Sequence, residues 1–207
     1  MSYYQVRVEK QIRELMSRRI DQILHRMPEG SAKATLAELR RGVGRAPGEL
    51  PDLWGILLEG LPEELEGTGG EPSEAENALY TALTLFAVHQ QGWDPRSNPM
   101  HRIGSSFGAA VAQLAPRGDE TARERVERRF TRAATSTGLP ELAHHLRGLV
   151  QLLRAEGLPV DWAQMASQLY RWQFPRQTAS VCLRWGEDFY RAGVHSDDND
   201  DRKDETK

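Results

Sequence analysis

Four arginines, Arg125, Arg128, Arg129 and Arg132, recur at helical spacing within one short stretch of this chain. A guanidinium is always charged and carries its N–H donors in a planar fork that matches phosphate oxygens two at a time. At about 100° of rotation per residue, the four fall within an arc of roughly 100° on a helix. Thr121 and Ser136 lie along the same arc, while Val126, Phe130 and Ala133 occupy the adjoining apolar side. Glu120 and Glu127 belong to other faces, and only Glu124, four residues before Arg128, reaches the stripe. One carboxylate does not neutralise four cations, so the pattern predicts a face suited to a phosphate backbone. The competing reading is a solvated charged face paired with a neighbouring helix.

Two loops add to this inventory. Arg40, Arg41 and Arg45 bracket Gly42 and Gly44, where a missing Cβ lets backbone N–H groups approach an anion. Arg96, His101 and Arg102 precede a helix expected to start at Ile103, whose N-terminus offers free donors and partial positive charge. Among the aromatics, Trp93 is the residue placed to stack a base; Trp162, Trp172 and Trp185 sit on apolar faces and are expected in the core.

Other chemistries lack their residues. The histidines at 25, 89, 101, 144, 145 and 195 show no H-E-x-x-H pattern, and a single cysteine leaves no C-x-x-C. His144 and His145 are adjacent, so on a helix they diverge by about 100° and share no ligand face. Neither a G-x-x-x-x-G-K-[ST] phosphate loop nor a G-x-S-x-G nucleophile turn occurs, and the Gly104 to Gly108 pair predicts a close helix crossing. Cys182 lies between Val181 and Trp185, a setting for a core thiol rather than a nucleophile. The expectation is a protein with no catalytic constellation, no metal and no cofactor.

The elements that position these residues are helical. Ile12, Met16, Ile20, Ile23 and Met27 mark one long amphipathic helix ending near Pro28 and Gly30. Ser31 is expected to cap a second helix through Leu36 and Leu39 to Arg41, followed by a Gly/Pro loop and a short helix through Trp54, Leu57 and Leu58. The stretch from Pro62 to Pro72, rich in Gly and Glu, suits a mobile acidic loop. Ser73 with Glu76 forms a capping box ahead of a helix whose face is Leu79, Leu83, Phe86 and Gln90. Beyond the helix of Ile103, Phe107, Val111 and Leu114, Pro116 and Gly118 introduce four more. These carry Val126 and Phe130; Leu142, Leu146 and Leu153; Trp162 to Trp172 behind an Asp161 cap; and Val181, Trp185 and Phe189 behind Pro175. The expected fold is all-α and two-part: an N-terminal helical domain over 1–116, a C-terminal four-helix bundle over 117–195, and a disordered acidic tail over 196–207.

At 207 residues the chain is long enough for a core without disulfides or metals. One cysteine, no N-terminal signal pattern and no apolar run approaching roughly 18 to 20 residues predict a soluble, cytoplasmic protein off the membrane. The net charge of −3 hides an asymmetry: the tail carries six acids against three bases, and the remaining body is neutral. Of the 27 basic residues 23 are arginine, an excess that GC-rich codon usage also produces, so only their placement discriminates.

Taken in order, Leu39-Arg40-Arg41-Gly42, Trp54, Ala82 to Gln91 ending in Ala-Val-His-Gln-Gln, Gly104-Ser105-Ser106-Phe107-Gly108, Arg128-Arg129-Phe130 and His145-Leu146-Arg147 with Leu149 to Leu153 form a pattern. Asp161 to Trp172 and Arg184-Trp185-Gly186 with Tyr190 complete it. It resembles the CasB family, small subunits of the type I-E CRISPR surveillance complex Cascade, over roughly residues 32 to 191. The resemblance implies an all-helical subunit without nuclease activity. It further implies two copies side by side within a crRNA-containing complex, next to the backbone and large subunits. Members stabilise the R-loop in antiviral defence by holding the displaced non-target DNA strand and contacting the target strand without reading sequence. Arg40, Arg41, Arg102, Arg128 and Arg129 match arginine-bearing family segments, whereas Arg45, Arg96, Arg125 and Arg132 join by position alone; the acidic tail lies outside the pattern. The alternative is a helical adaptor that bridges protein subunits without touching nucleic acid.

Overall fold

The computed structural model describes residues 3–116 and 118–194, and the acidic tail expected over 196–207 lies outside the described residues. Among the described residues the fold is all-α: α1 (Tyr3–Asp21), α2 (Glu29–Arg41), α3 (Trp54–Leu58), α4 (Glu74–His89), α5 (Phe107–Ala112), α6 (Glu120–Ala134), α7 (Leu139–Ala155), α8 (Trp162–Trp172) and α9 (Pro175–Val194). Among the described residues the one β-bridge pairs His101 with Val160.

Helix α4 is the axis of the molecule. The sequence marks one buried face, yet the structure buries Ala75 and every position from Ala78 to His89. Ala78, Thr81, Ala82, Thr84 and Ala87 are small enough for neighbours to close on all sides, and α1, α2, α7 and α8 do so. Its start is the expected capping box: Ser73 Oγ accepts from the Glu76 N–H at 3.0 Å, and the Glu76 carboxylate accepts from the Ser73 N–H at 2.7 Å. The same carboxylate accepts from the Gly67 N–H at 2.8 Å, and Leu65 is buried, so the acidic loop is anchored at both features.

Two starts differ from expectation. Helix α2 begins at Glu29 with Pro28 as its N-cap, which places Ser31 inside the first turn. The helix expected at Ile103 begins at Phe107, where Ser106 Oγ accepts from the Ala109 N–H; Gly104 at φ +83 makes a turn, and Ile103 is 80% exposed. Beyond α1 the pattern through Ile23 continues as a π-helical turn, Gln22–Arg26. Inside α1, Arg19 is buried and donates to the carbonyls of Ile56 and Leu57, satisfying the end of the short α3.

Asp161 and Pro175 start α8 and α9 as expected. Helix α8 is enclosed by α1, α4 and α9, with Trp162 and Trp172 buried along it. Helices α5 and α9 cross closely at Gly108, where an added Cβ would collide with the Trp185 carbonyl oxygen. One continuous set of buried apolar residues runs from Val8 to Phe189. Two tryptophans tie it to polar partners: Trp162 Nε1–H donates to His89 Nδ1 at 3.1 Å and Trp185 Nε1–H to Gln168 Oε1 at 2.8 Å.

Gly108→Ala should therefore force α5 from α9 and cost about 1–3 kcal/mol in thermal denaturation, whereas Gly148→Ala on α7, with open space at its Cβ, should be neutral or stabilising. Equal behaviour of the two variants would contradict the crossing. Accepting from Trp162 keeps His89 neutral, and burial pushes its pKa down to about 4 from 6.5. The unfolded chain then binds the extra proton first, so stability is complete above pH 6.5 and is lost as pH falls toward 4. Unfolding followed from pH 7 to 4 should show a loss of up to about 1.4 kcal/mol per pH unit from this group, reduced in His89→Gln; identical slopes would refute the assignment.

Candidate nucleic-acid interface

The rotation of α6 is set by Ala122, Val126, Phe130 and Ala133, all buried. Phe130 stacks on Phe189 of α9, ring centroids 5.0 Å apart, and packs against Phe107 of α5 at 6.0 Å. With that side fixed, Arg125, Arg128, Arg129 and Arg132 are exposed on the adjoining face. Among the described residues no carboxylate lies within ion-pair distance of any of the four. Two other charges of α6 are engaged elsewhere: Arg123 lies over the Phe189 ring at 6.0 Å, and Glu127 accepts from the Tyr190 hydroxyl of α9, while Glu120 and Glu124 are exposed. Arg125 and Arg129 line a groove of about 200 Å³ with Leu114, Leu152, Ala155 and Glu156, which brings the C-terminal turn of α7 beside the stripe.

The first loop cluster divides. Arg41 pairs with Glu38 at 2.7 Å, and Arg45 faces Glu49 at 3.9 Å. Arg40, half-buried, has no carboxylate partner among the described residues; burial and the nearby Arg154 charge lower its pKa from the ordinary value. The second cluster is open as well. Arg96 and Arg102 are exposed without carboxylate partners, and Arg102 stands in the turn before α5 rather than at a helix start.

That turn is held by α8. Asp161, buried, accepts from the Gln164 N–H at 2.9 Å to cap α8 and from the Gly104 N–H at 2.9 Å through its other oxygen. Arg102 N–H donates to the Val160 carbonyl at 3.2 Å, and the Trp162 N–H donates to His101 Nδ1 at 3.1 Å. Burial pushes the His101 pKa down, opposed by the Asp161 charge. His101 is thus a structural acceptor rather than a base turned toward solvent.

Nothing in these clusters assembles a metal or nucleophile site. Among the described residues no three His, Cys, Asp or Glu side chains converge to hold a metal, and no helix is long and apolar enough to cross a membrane. The half-buried Cys182 thiol donates to the Ala134 carbonyl at 3.3 Å, and burial raises its pKa. One residue that the periodicity does not mark lies beside Trp93. Arg154, in the last turn of α7, donates to Gln91 Oε1 at 3.0 Å, and its carbonyl accepts from Trp93 Nε1–H at 2.9 Å. The sequence signal for Arg154 is weak, because its position beside Leu153 resembles any solvent-facing helix end.

Solved structures of CasB share this fold. CasB from Thermobifida fusca is 32% identical over 91% of this chain and 98% of its own, with a TM-score of 0.61. CasB from Thermus thermophilus has a TM-score of 0.60 at 21% identity, covering 92% of this chain and 99% of its own. A chain of a CRISPR RNA-guided surveillance complex has a TM-score of 0.66 at 22% identity, covering 91% and 96%. Among curated proteins no significant match is found. Fold and surface therefore define an all-helical protein of the CasB architecture, with a set of arginines left without acidic partners. The model for CRISPR-associated protein Cse2 matches residues 35–190. The chain belongs to the Cse2 (CasB) family.

Because Asp161 holds both the α8 start and the Arg102 turn, Asp161→Ala should cost about 1–2 kcal/mol and speed amide exchange at Gly104. Unchanged exchange there would separate the turn from the cap.

Proposed function

We propose that the chain is the non-catalytic small subunit of a type I-E Cascade complex, gripping nucleic-acid backbone without reading sequence and stabilising the displaced non-target strand of the R-loop. Membership of the Cse2 family supports the assembly. The observation that carries the contact is the row of four exposed arginines on α6, none with a carboxylate at ion-pair distance among the described residues. Guanidinium groups held this way bind phosphates, while sequence is left to base pairing between guide and target. Arg40, Arg96 and Arg102 extend the proposed footprint; Arg41 and Arg45 enter it by exchanging Glu38 and Glu49 for phosphate. Backbone and large Cascade subunits, crRNA and a second copy of the chain are the partners in this reading. The division into a helical part over 1–116 and a four-helix unit over 117–195 belongs to the same proposal; α6 packs on α7 and α8 on α9 within the second part, while α1 and α4 on α8, α4 on α7 and α5 on α9 join the two parts through one continuous core.

If about six phosphates are held, affinity for single strands should fall by roughly a few hundredfold between 50 and 200 mM salt. Reversing Arg125, Arg128, Arg129 and Arg132 to Glu together should abolish that binding in a titration of labelled DNA, with helicity by circular dichroism intact. Retained binding would remove the α6 assignment. Failure of the unaltered chain to retain DNA or RNA at low salt and saturating protein would favour a protein-only adaptor.

A further inference from the structure

Helix α9 carries the chain toward the start of the arginine helix. Cys182 donates to the Ala134 carbonyl, Phe189 stacks on Phe130, and the Tyr190 hydroxyl donates to Glu127. As α9 advances its partners on α6 recede, so the two helices run antiparallel. Val194, the last residue of α9, lies four residues beyond Tyr190, a further rise of about 6 Å. Thirteen residues follow it, His195 to Lys207. Arg123 and Glu127, the charged α6 residues that touch α9, lie roughly half a turn around the helix from the centre of the stripe Arg125, Arg128, Arg129 and Arg132. On a cylinder about 10–12 Å across, half a turn is a path of about 16–19 Å. Thirteen residues span at most about 43–47 Å, and about six already cover that path. Asp200, Asp201, Asp204 and Glu205 come six to eleven residues after Val194, so all four acids are within reach of the stripe.

Charge matches reach. Residues 196–207 carry six acids against Arg202, Lys203 and Lys207, an excess of three negative charges. The stripe sets four arginines against Glu124, an excess of three positive charges. Among the described residues no carboxylate is within ion-pair distance of any of the four. Two arginines nearer the end of α9 offer no such opening, since Arg184 and Arg191 are both held by Asp188, at 3.4 and 3.8 Å. Exposed ion pairs are individually weak and are screened by salt. A covalent tether, however, holds the acids near the stripe at an effective concentration of about millimolar. Such an occupant stays by proximity and yields to a strand that offers more phosphates.

We infer that the acidic run Asp197–Glu205 of the same chain lies on the α6 arginine face when no strand is bound, and that nucleic acid must displace it. The inference rests on the nucleic-acid contact proposed above and supplies its regulation, because contacts of only a few phosphates lose to the tail. It also gives a role to a segment past residue 190, where the family match ends.

The test places a nitroxide in the full chain through Asn199→Cys, with Cys182→Ala so that a single thiol is labelled. At 50 mM salt, without DNA, the label should broaden the amide signals of α6 from Thr121 to Arg132. Changing Arg125, Arg128, Arg129 and Arg132 to Gln should remove the broadening, as should a saturating thymidine 12-mer. Neutralising the tail, with its five Asp changed to Asn and Glu205→Gln, should tighten binding of the 12-mer threefold or more, the gain expected if the tail covers the face about two-thirds of the time. Absence of broadening on α6, broadening centred on the Arg102 turn instead, or broadening that survives the saturating strand overturns the inference. So does broadening that occurs only between chains, seen by mixing nitroxide-bearing chains with isotope-labelled unmodified ones, which would assign the tail to a second copy. Any of these results, with DNA binding still abolished by α6 reversal, leaves the proposed function standing. DNA binding retained on α6 reversal defeats that function's α6 assignment and with it the competition.

Discussion

Burial of Val126, Phe130 and Ala133 sets the rotation of α6, and that rotation decides where its arginines point. The anchor is aromatic: Phe130 lies between Phe107 and Phe189, so α5, α6 and α9 are registered through one cluster of rings. Rotating α6 by one residue would move Phe130 into water and bring an arginine into that cluster, losing about 1.5–3 kcal/mol of phenylalanine burial and stranding a charge. The helix therefore has one stable orientation. In that orientation Glu127 is occupied by Tyr190 and Arg123 by Phe189, and four outward arginines stand against one acid of their own stripe, Glu124.

A second centre of organisation is the C-terminal turn of α7. On one side Ala155 and Glu156 line the groove beside Arg125 and Arg129; on the other, the Arg154 carbonyl seats Trp93. Just beyond, Val160 exchanges backbone hydrogen bonds with Met100 and Arg102, and Asp161 ties the following turn to α8. Three arginine-bearing regions remote in sequence are thus referred to one short segment, residues 152–161. The core makes this possible, because α4 packs on α2, α7 and α8 together and holds the Arg40 helix in position relative to that segment.

Much of this was readable from spacing. Apolar periodicity locates the helices, and four side-chain caps, at Ser73, Asp161, Ser106 and Asp119, show the chemistry that local sequence encodes well. Only the first two are legible from the sequence alone. Ser106 was hidden because Ile103 continues the i, i+4 pattern of Phe107 and Val111, and periodicity alone does not register that Gly104 adopts φ +83. Ser31 misled for the converse reason, since Pro28 can precede a first turn and a helix needs no side-chain cap there. The burial of Arg19 is legible in spacing: it falls amid Ile12, Met16 and Ile23, on the face that must be buried. For the surface, the α6 stripe followed directly from rotation per residue. The split between free Arg40 and paired Arg41 did not, nor did the seating of Trp93 against a residue 61 positions away, because such pairings depend on tertiary packing.

The central claim is that the α6 face meets nucleic acid rather than protein. Exposed Thr121 lies on the same face as the four arginines and is not one of them, so a photoreactive side chain there reports on the surface without removing its charge. Introduced into an assembled, target-bound complex and irradiated, it should crosslink to a DNA or RNA strand. Crosslinks to protein subunits alone would contradict the account.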